Sequence, residues 1–139
     1  MMIYSYPGCF FQRPDGSFCV VFVDLNNLAA FGNSFDTVLA NAVDLLSKYI
    51  YNIIIRNGEV PEPSDIETLR PDVGSEYTRA FLRTVNVDVE EYAKKHFESD
   101  IVRTVTIPAW MDDIIKKDNI DLSEFVKRSF EEKYNIKKP

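Results

Sequence analysis

The chain has 139 residues and a formal net charge of −6, and 45% of its residues are hydrophobic. This composition excludes a wholly disordered chain and supplies enough apolar material for one ordinary domain or two small ones. No apolar run predicts a membrane span and the N-terminus lacks a signal-peptide pattern, so we expect a cytoplasmic protein without a membrane partner.

The first predicted elements form a β-hairpin. Residues 2–11 are rich in aromatic and β-branched side chains, and turn signals follow at 13–16, where Gly16 suits a left-handed backbone. A second strand is predicted over 17–25. Apolar residues on both of its faces indicate a central position in a sheet.

A turn and a long helix follow. The turn is predicted over 24–27, and a short strand over 28–31 comes next. Ser34 is a typical helix N-cap. Apolar residues then recur at helical spacing. Asn57 and Gly58 follow this pattern and predict the end of the helix.

The remainder of the N-terminal part alternates loop, strand and helix. A proline-rich loop is predicted over 59–71, and a strand over 77–87. Asp88 is expected to cap a short helix. The polar residues 98–100 are the expected hinge, which divides the chain into domains of 1–100 and 101–139.

The C-terminal domain predicts a strand and two helices. The strand covers 101–107, and Pro108 suits the first turn of the first helix. Asn119 tolerates the left-handed backbone that breaks the helices, and Asp121 with Glu124 forms a capping box for the second.

One copy of this domain has no partner for its strand and leaves a wide apolar face uncovered. A symmetric dimer solves both problems, because two strands pair into a ribbon above four helices. The residues expected to form the dimer interface are Val105, Ile107, Trp110, Ile114, Phe125, Val126 and Phe130.

This arrangement resembles the ribbon-helix-helix repressors, whose ribbon lies in the DNA major groove. By alternation, Thr104 and Thr106 face outward, where a threonine can contact base edges. The second helix N-terminus offers backbone N–H groups to a phosphate. The candidate DNA-binding residues are Val102, Arg103, Thr104, Thr106, Leu122 and Ser123. The alternative interpretation is that this strand and the two helices only dimerise and do not bind DNA.

The charge is divided unevenly between the two domains. Residues 1–100 hold 8 basic and 15 acidic residues, whereas residues 101–139 hold 8 and 7. An acidic domain repels nucleic acid and favours a basic protein partner. The C-terminal domain has basic pairs at 116–117, 127–128 and 137–138, which suit a phosphate backbone.

The whole chain resembles the HicB-type antitoxins. The order of short motifs carries the resemblance: Tyr6-Pro7, Phe10, Asp15-Gly16, Phe22, Asp24-Leu25, Gly32, Ala40-Asn41-Ala42, Pro61-Glu62-Pro63-Ser64 and Val87-Asp88. A ribbon-helix-helix tail is one of that family's two common C-termini. The sequence departs from the family at 26–28, where a Pro-Gly turn is usual, and at 33–34, where Asp-Thr is usual.

The resemblance implies an α+β fold, with a partial RNase H-like N-terminal domain that has an antiparallel sheet and one long helix. That domain would neutralise HicA, a small basic toxin that cleaves messenger RNA, without a cofactor. The C-terminal dimer, alone or in a higher assembly, would repress the shared operon. The candidate toxin contacts on the sheet-edge turn are Asp24, Asn26, Asn27 and Phe31.

Two other function classes compete with an antitoxin. One is a ribbon-helix-helix regulator that responds to a small ligand. The other is a nuclease, which would need carboxylates converging on a metal. Ordinary structural roles explain the candidate side chains, and two thiols are too few for a metal site. We therefore predict no catalytic or metal site among Asp15, Asp24, Asp36, His96, Cys9 and Cys19.

Overall fold

The computed structural model describes residues 1–71 and 74–136, which form an α+β fold with a four-stranded antiparallel sheet and four helices. The elements in chain order are β1 (Ile3–Gln12), β2 (Phe18–Phe22), β3 (Leu28–Gly32), α1 (Phe35–Ile55), β4 (Arg79–Asp88), α2 (Val89–His96), α3 (Ala109–Lys117) and α4 (Leu122–Tyr134).

The sheet has the strand order β3-β2-β1-β4, so β2 has a neighbour on each side, as its apolar faces predict. The predicted extent of β2, 17–25, is wrong. The strand ends at Phe22 because a 3-10 turn over Val23–Leu25 replaces the extended backbone, and Asn26 and Asn27 are left-handed, with φ of 56° and 58°. Asparagine tolerates this conformation better than most residues.

Helix α1 packs on one face of the sheet. Ser34 caps it as predicted, accepting from the N–H of Thr37 at 3.2 Å. Side chains four residues apart, including Val38, Ala42 and Leu46, are buried against the sheet. By length and composition alone α1 could cross a membrane, contrary to the expectation from the sequence. Its buried face instead belongs to the protein core.

Ser47 is the exception on the buried side of α1. Its hydroxyl is buried without a hydrogen-bond partner. Replacing Ser47 with alanine is expected to raise the free energy of unfolding by about 1 kcal/mol, because an unsatisfied polar group is removed and alanine favours a helix. Urea unfolding measures the change. The exposed Ser129→Ala in α4 should shift stability by less than about 0.5 kcal/mol, and a destabilised Ser47→Ala would contradict the prediction.

The C-terminal helices stand apart from the core, whose described members end at Phe97. The capping of α4 is confirmed, since the Asp121 carboxylate accepts from the N–H of Glu124 at 3.3 Å. The strand predicted over 101–107 is not formed within the single chain. A strand needs a hydrogen-bonded neighbour, and the sheet of this chain does not include the segment.

Two contacts join the ends of α1 and α4. The Asn57 side chain donates to the carbonyl of Asn135 at 2.5 Å. The Arg56 guanidinium lies 5.9 Å from the centroid of the Tyr134 ring. Together they are a small contact between the two parts of the chain.

Candidate partner-binding surfaces

The turn between β2 and β3 presents two exposed amides, Asn26 and Asn27. Their left-handed backbones turn the chain within two residues. The Asn26 amide donates to the Tyr49 hydroxyl at 3.3 Å, which ties the turn to α1. Both residues are therefore accessible on a turn that a side-chain hydrogen bond ties to α1.

Asp24 differs from the other predicted contacts because its carboxylate is already engaged. One oxygen accepts from the backbone N–H of Ser64 at 2.9 Å, and the other accepts from the Ser64 hydroxyl at 2.5 Å. Ser64 lies forty positions further along the chain, in the proline-rich loop. The carboxylate thus holds that loop within its own chain.

An apolar strip follows the outer face of β2 and β3, away from α1. Phe31 is 55% exposed, and Val23 is 41% exposed at the other end of the strip. Val21 and Ala29 pair between them and are half-buried. The sequence analysis names Phe31 as a candidate contact but not Val23, although Val23 follows Val21 in a period-two pattern.

The proline-rich loop borders this turn and carries most of the local negative charge. Its acidic residues are exposed, and they are Glu59, Glu62, Asp65 and Glu67. Arg70 follows and donates to the backbone carbonyls of Glu67 and Leu69, both at 2.7 Å. The loop therefore offers an acidic surface beside an apolar strip.

The predicted DNA-binding residues are exposed in the single chain. Val102 is 93% exposed, and its three candidate neighbours Arg103, Thr104 and Thr106 are exposed as well. Leu122 and Ser123 are the first two residues of α4. The carboxylate of Asp121 caps this helix end, so negative charge lies where a phosphate would approach.

Six of the seven predicted dimer residues are among the exposed large apolar side chains of the described chain. Trp110 is 61% exposed and Phe125 is 59% exposed, although both are large apolar residues. Ile107 is half-buried, and the remaining members are exposed, namely Val105, Ile114, Val126 and Phe130. Such a surface is unfavourable in water unless another surface covers it.

Most basic side chains of the C-terminal helices are paired within their own helix. Lys116 bonds Asp112 at 3.0 Å, Lys117 bonds Asp113 at 2.9 Å, and Arg128 bonds Glu124 at 3.4 Å. Exposed pairs of this kind contribute little and can exchange partners. The basic pair at 137–138 lies outside the described residues.

The side chains considered for a nuclease are not gathered into one site. Within 1–71 and 74–136, no group of three His, Cys, Asp or Glu side chains is arranged to hold a metal. The Asp15 carboxylate accepts two hydrogen bonds from Ser17, which lower the pKa of Asp15. The His96 ring packs 4.2 Å from the Tyr92 ring. Burial raises the pKa of the Cys9 and Cys19 thiols.

Comparison with known proteins relates the chain to one family. Residues 6–130 match a family described as HicB_like antitoxin of bacterial toxin-antitoxin system. A chain of a toxin-antitoxin complex from Streptococcus pneumoniae is similar over 95% of this chain and 99% of its own, with 27% identity and a TM-score of 0.63.

A second solved structure shares the fold. The antitoxin HicB of Burkholderia pseudomallei is similar over 97% of this chain and 98% of its own, with 20% identity and a TM-score of 0.52. None of the curated proteins matches the chain.

Proposed function

Because the chain belongs to the HicB_like antitoxin family of bacterial toxin-antitoxin systems, we propose that it neutralises a HicA-type toxin and represses its own operon. In this proposal residues 1–100 are a partial RNase H-like domain that binds the toxin. Residues 101–139 are a ribbon-helix-helix domain that dimerises and binds operator DNA. The protein acts in the cytoplasm, without catalysis of its own.

The proposal of one domain for toxin binding and another for dimerisation rests on where the exposed apolar side chains lie. Of the fourteen large apolar residues that are exposed in the described chain, ten lie between Ile101 and Tyr134. A surface of this kind supports a homodimer, in which two copies cover each other. The N-terminal part has a smaller strip, from Val23 to Phe31, which fits a second and different partner.

The negative charge of the N-terminal part supports a basic protein as its partner. Residues 1–100 carry a net charge of −7, and Asp24 ties the acidic loop to the β2–β3 turn through Ser64. A basic toxin would be steered to such a surface, and the apolar side chains would supply contact area. The proposed toxin contacts are Asn26, Asn27, Phe31 and Val23, while Asp24 contributes through the loop it holds.

DNA binding in this proposal uses the paired segments 101–107 of two copies. Thr104 and Thr106 face the bases, with Arg103 placed for a phosphate. The N–H groups of Leu122 and Ser123 add a phosphate contact. Because the outward face of the strand offers threonines rather than basic or amide side chains, several dimers acting together would strengthen repression.

Co-expression with a small basic protein, if one is encoded beside this gene, tests the antitoxin function. We expect the small protein alone to arrest growth, and the chain to relieve the arrest and to co-purify with it. The arrest would persist, with no complex recovered, if the two proteins do not form a toxin-antitoxin pair.

Phe31 and Phe130 are each 55% exposed, and replacing each in turn tests the two proposed surfaces independently. Phe31→Ala is expected to weaken toxin binding about tenfold, since aromatic anchors are the residues that most often dominate an interface. Phe130→Ala should leave that affinity unchanged and weaken the dimer instead. Titration calorimetry and sedimentation measure both effects, and equal loss of toxin binding in the two variants would refute the division.

A ligand-responsive regulator is the second candidate function. A groove of about 440 Å³ lies at the end of α1, and its lining residues are Tyr49, Asn52, Ile53, Arg56, Gly58 and Glu59. The groove is open, whereas small-molecule sites enclose most of their ligand. This observation favours the antitoxin over the regulator.

A further inference from the structure

The proline-rich loop is fixed to the sheet at one point by Asp24. Both carboxylate oxygens accept from Ser64, one from its N–H at 2.9 Å and one from its hydroxyl at 2.5 Å. Hydrogen bonds to a carboxylate are stronger than those between neutral groups. Because both oxygens accept from Ser64, the role that the structure shows for Asp24 is to hold the loop.

A second attachment lies three residues earlier in the loop. The Tyr6 hydroxyl donates to the carbonyl of Pro61 at 2.5 Å. The Tyr6 side chain is only 1% exposed, and burial raises its pKa to about 12, so the hydroxyl stays a donor at neutral pH. The ring is held by the core, so its hydroxyl gives the loop a fixed reference point.

The loop itself adds local order between and beyond these attachments. Pro61 and Pro63 restrict the backbone dihedral φ. The Asp65 carboxylate then accepts from the N–H of Glu67 at 3.0 Å and begins a 3-10 turn over Ile66–Thr68. The position of the exposed Glu62 relative to the 23–31 strip therefore depends on the attachments at either side of it.

We propose that Asp24 is a positioning residue in toxin neutralisation, holding the loop beside the β2–β3 turn through Ser64 so that the two form one docking surface. Asp24 itself does not touch the toxin. This inference rests on the proposed function and deepens it, because it assigns the loop to the same surface as Asn26 and Asn27.

A double-mutant cycle on the full-length chain tests the assignment. Asp24→Asn is expected to weaken binding of the purified HicA-type toxin about tenfold, and Ser64→Ala is expected to weaken it several-fold. The double variant should bind no more weakly than Asp24→Asn alone, since both changes remove one shared contact. Asp44→Asn on the exposed side of α1 removes the same charge and should leave the affinity unchanged.

Amide hydrogen exchange separates positioning from general unfolding. Exchange at Ser64 and over 65–68 should accelerate in Asp24→Asn while protection of α1 stays unchanged. Two results would overturn the inference even though the toxin still binds. One is losses of toxin affinity that add in the double variant, and the other is unchanged amide exchange in the loop. If the wild-type chain does not bind the toxin, the proposed function fails and the inference fails with it.

Discussion

Replacing Gly32 with alanine is expected to lower the free energy of unfolding by about 3 kcal/mol. A Cβ atom at this position would lie 2.4 Å from the backbone nitrogen of Val38, 2.8 Å from its Cα and 2.9 Å from the carbonyl carbon of Thr37. All three atoms belong to the backbone of the first turn of α1. No side-chain rotation relieves the overlap, so β3 and α1 would have to separate.

Urea unfolding followed by far-ultraviolet circular dichroism measures the loss. Gly16→Ala is the matched control, because nothing lies within 4 Å of a Cβ there. Its φ of 89° still disfavours alanine, at a cost of about 1 kcal/mol. Equal losses at the two positions would show that α1 does not rest directly on β3.

Replacing Phe125 with aspartate is expected to dissociate the proposed dimer and abolish operator binding. Phe125 is 59% exposed in the single chain and is one of the residues of the proposed interface. A symmetric dimer would bury two unpaired carboxylates, which costs several kcal/mol. The mass in solution should fall to 16.0 kDa, that of one chain, at concentrations where the wild type has twice that mass or a higher multiple.

Analytical ultracentrifugation and a gel-shift assay with operator DNA measure the two losses. Phe125→Leu retains an apolar side chain and should keep both properties. Toxin binding should survive Phe125→Asp, because the sheet and its turn do not involve α4. A variant of unchanged mass would contradict the proposed interface, and a monomer that still binds the operator would contradict the paired ribbon.

Local signals in the sequence predicted three of the four helix starts correctly, whereas Pro108 precedes α3 as its N-cap instead of lying in its first turn. Ser34, Asp88 and Asp121 cap their helices through the N–H three residues on, and the caps depend only on neighbours along the chain. Asn119 likewise adopts its expected left-handed backbone. The overall α+β class, which the resemblance to the HicB-type antitoxins implied, is also that of the structure.

Contacts between distant residues were not predictable in this way. The sequence indicates an available carboxylate at Asp24, but not that Ser64 occupies it from forty positions away. The early end of β2 at Phe22 has a similar origin, because the following 3-10 turn places Leu25 in the core. Both features depend on tertiary packing, which a pattern of residue types does not contain.

The C-terminal segment shows a different limit. The pattern over 101–107 is that of a strand, yet within the described residues this segment pairs with no other strand. Sequence periodicity reports what a segment favours once it has a partner. The dimer residues and the DNA-binding residues therefore remain predictions that depend on the same second copy.

The location of Trp110 gives the molecule a built-in optical probe. It is the one tryptophan in the sequence and lies exposed on α3, whereas six of the seven tyrosines lie within residues 1–100. Tryptophan emission should therefore respond to coverage of the C-terminal face, while tyrosine absorbance follows mainly the sheet and α1. The two halves of the chain can thus be observed separately in one unlabelled sample.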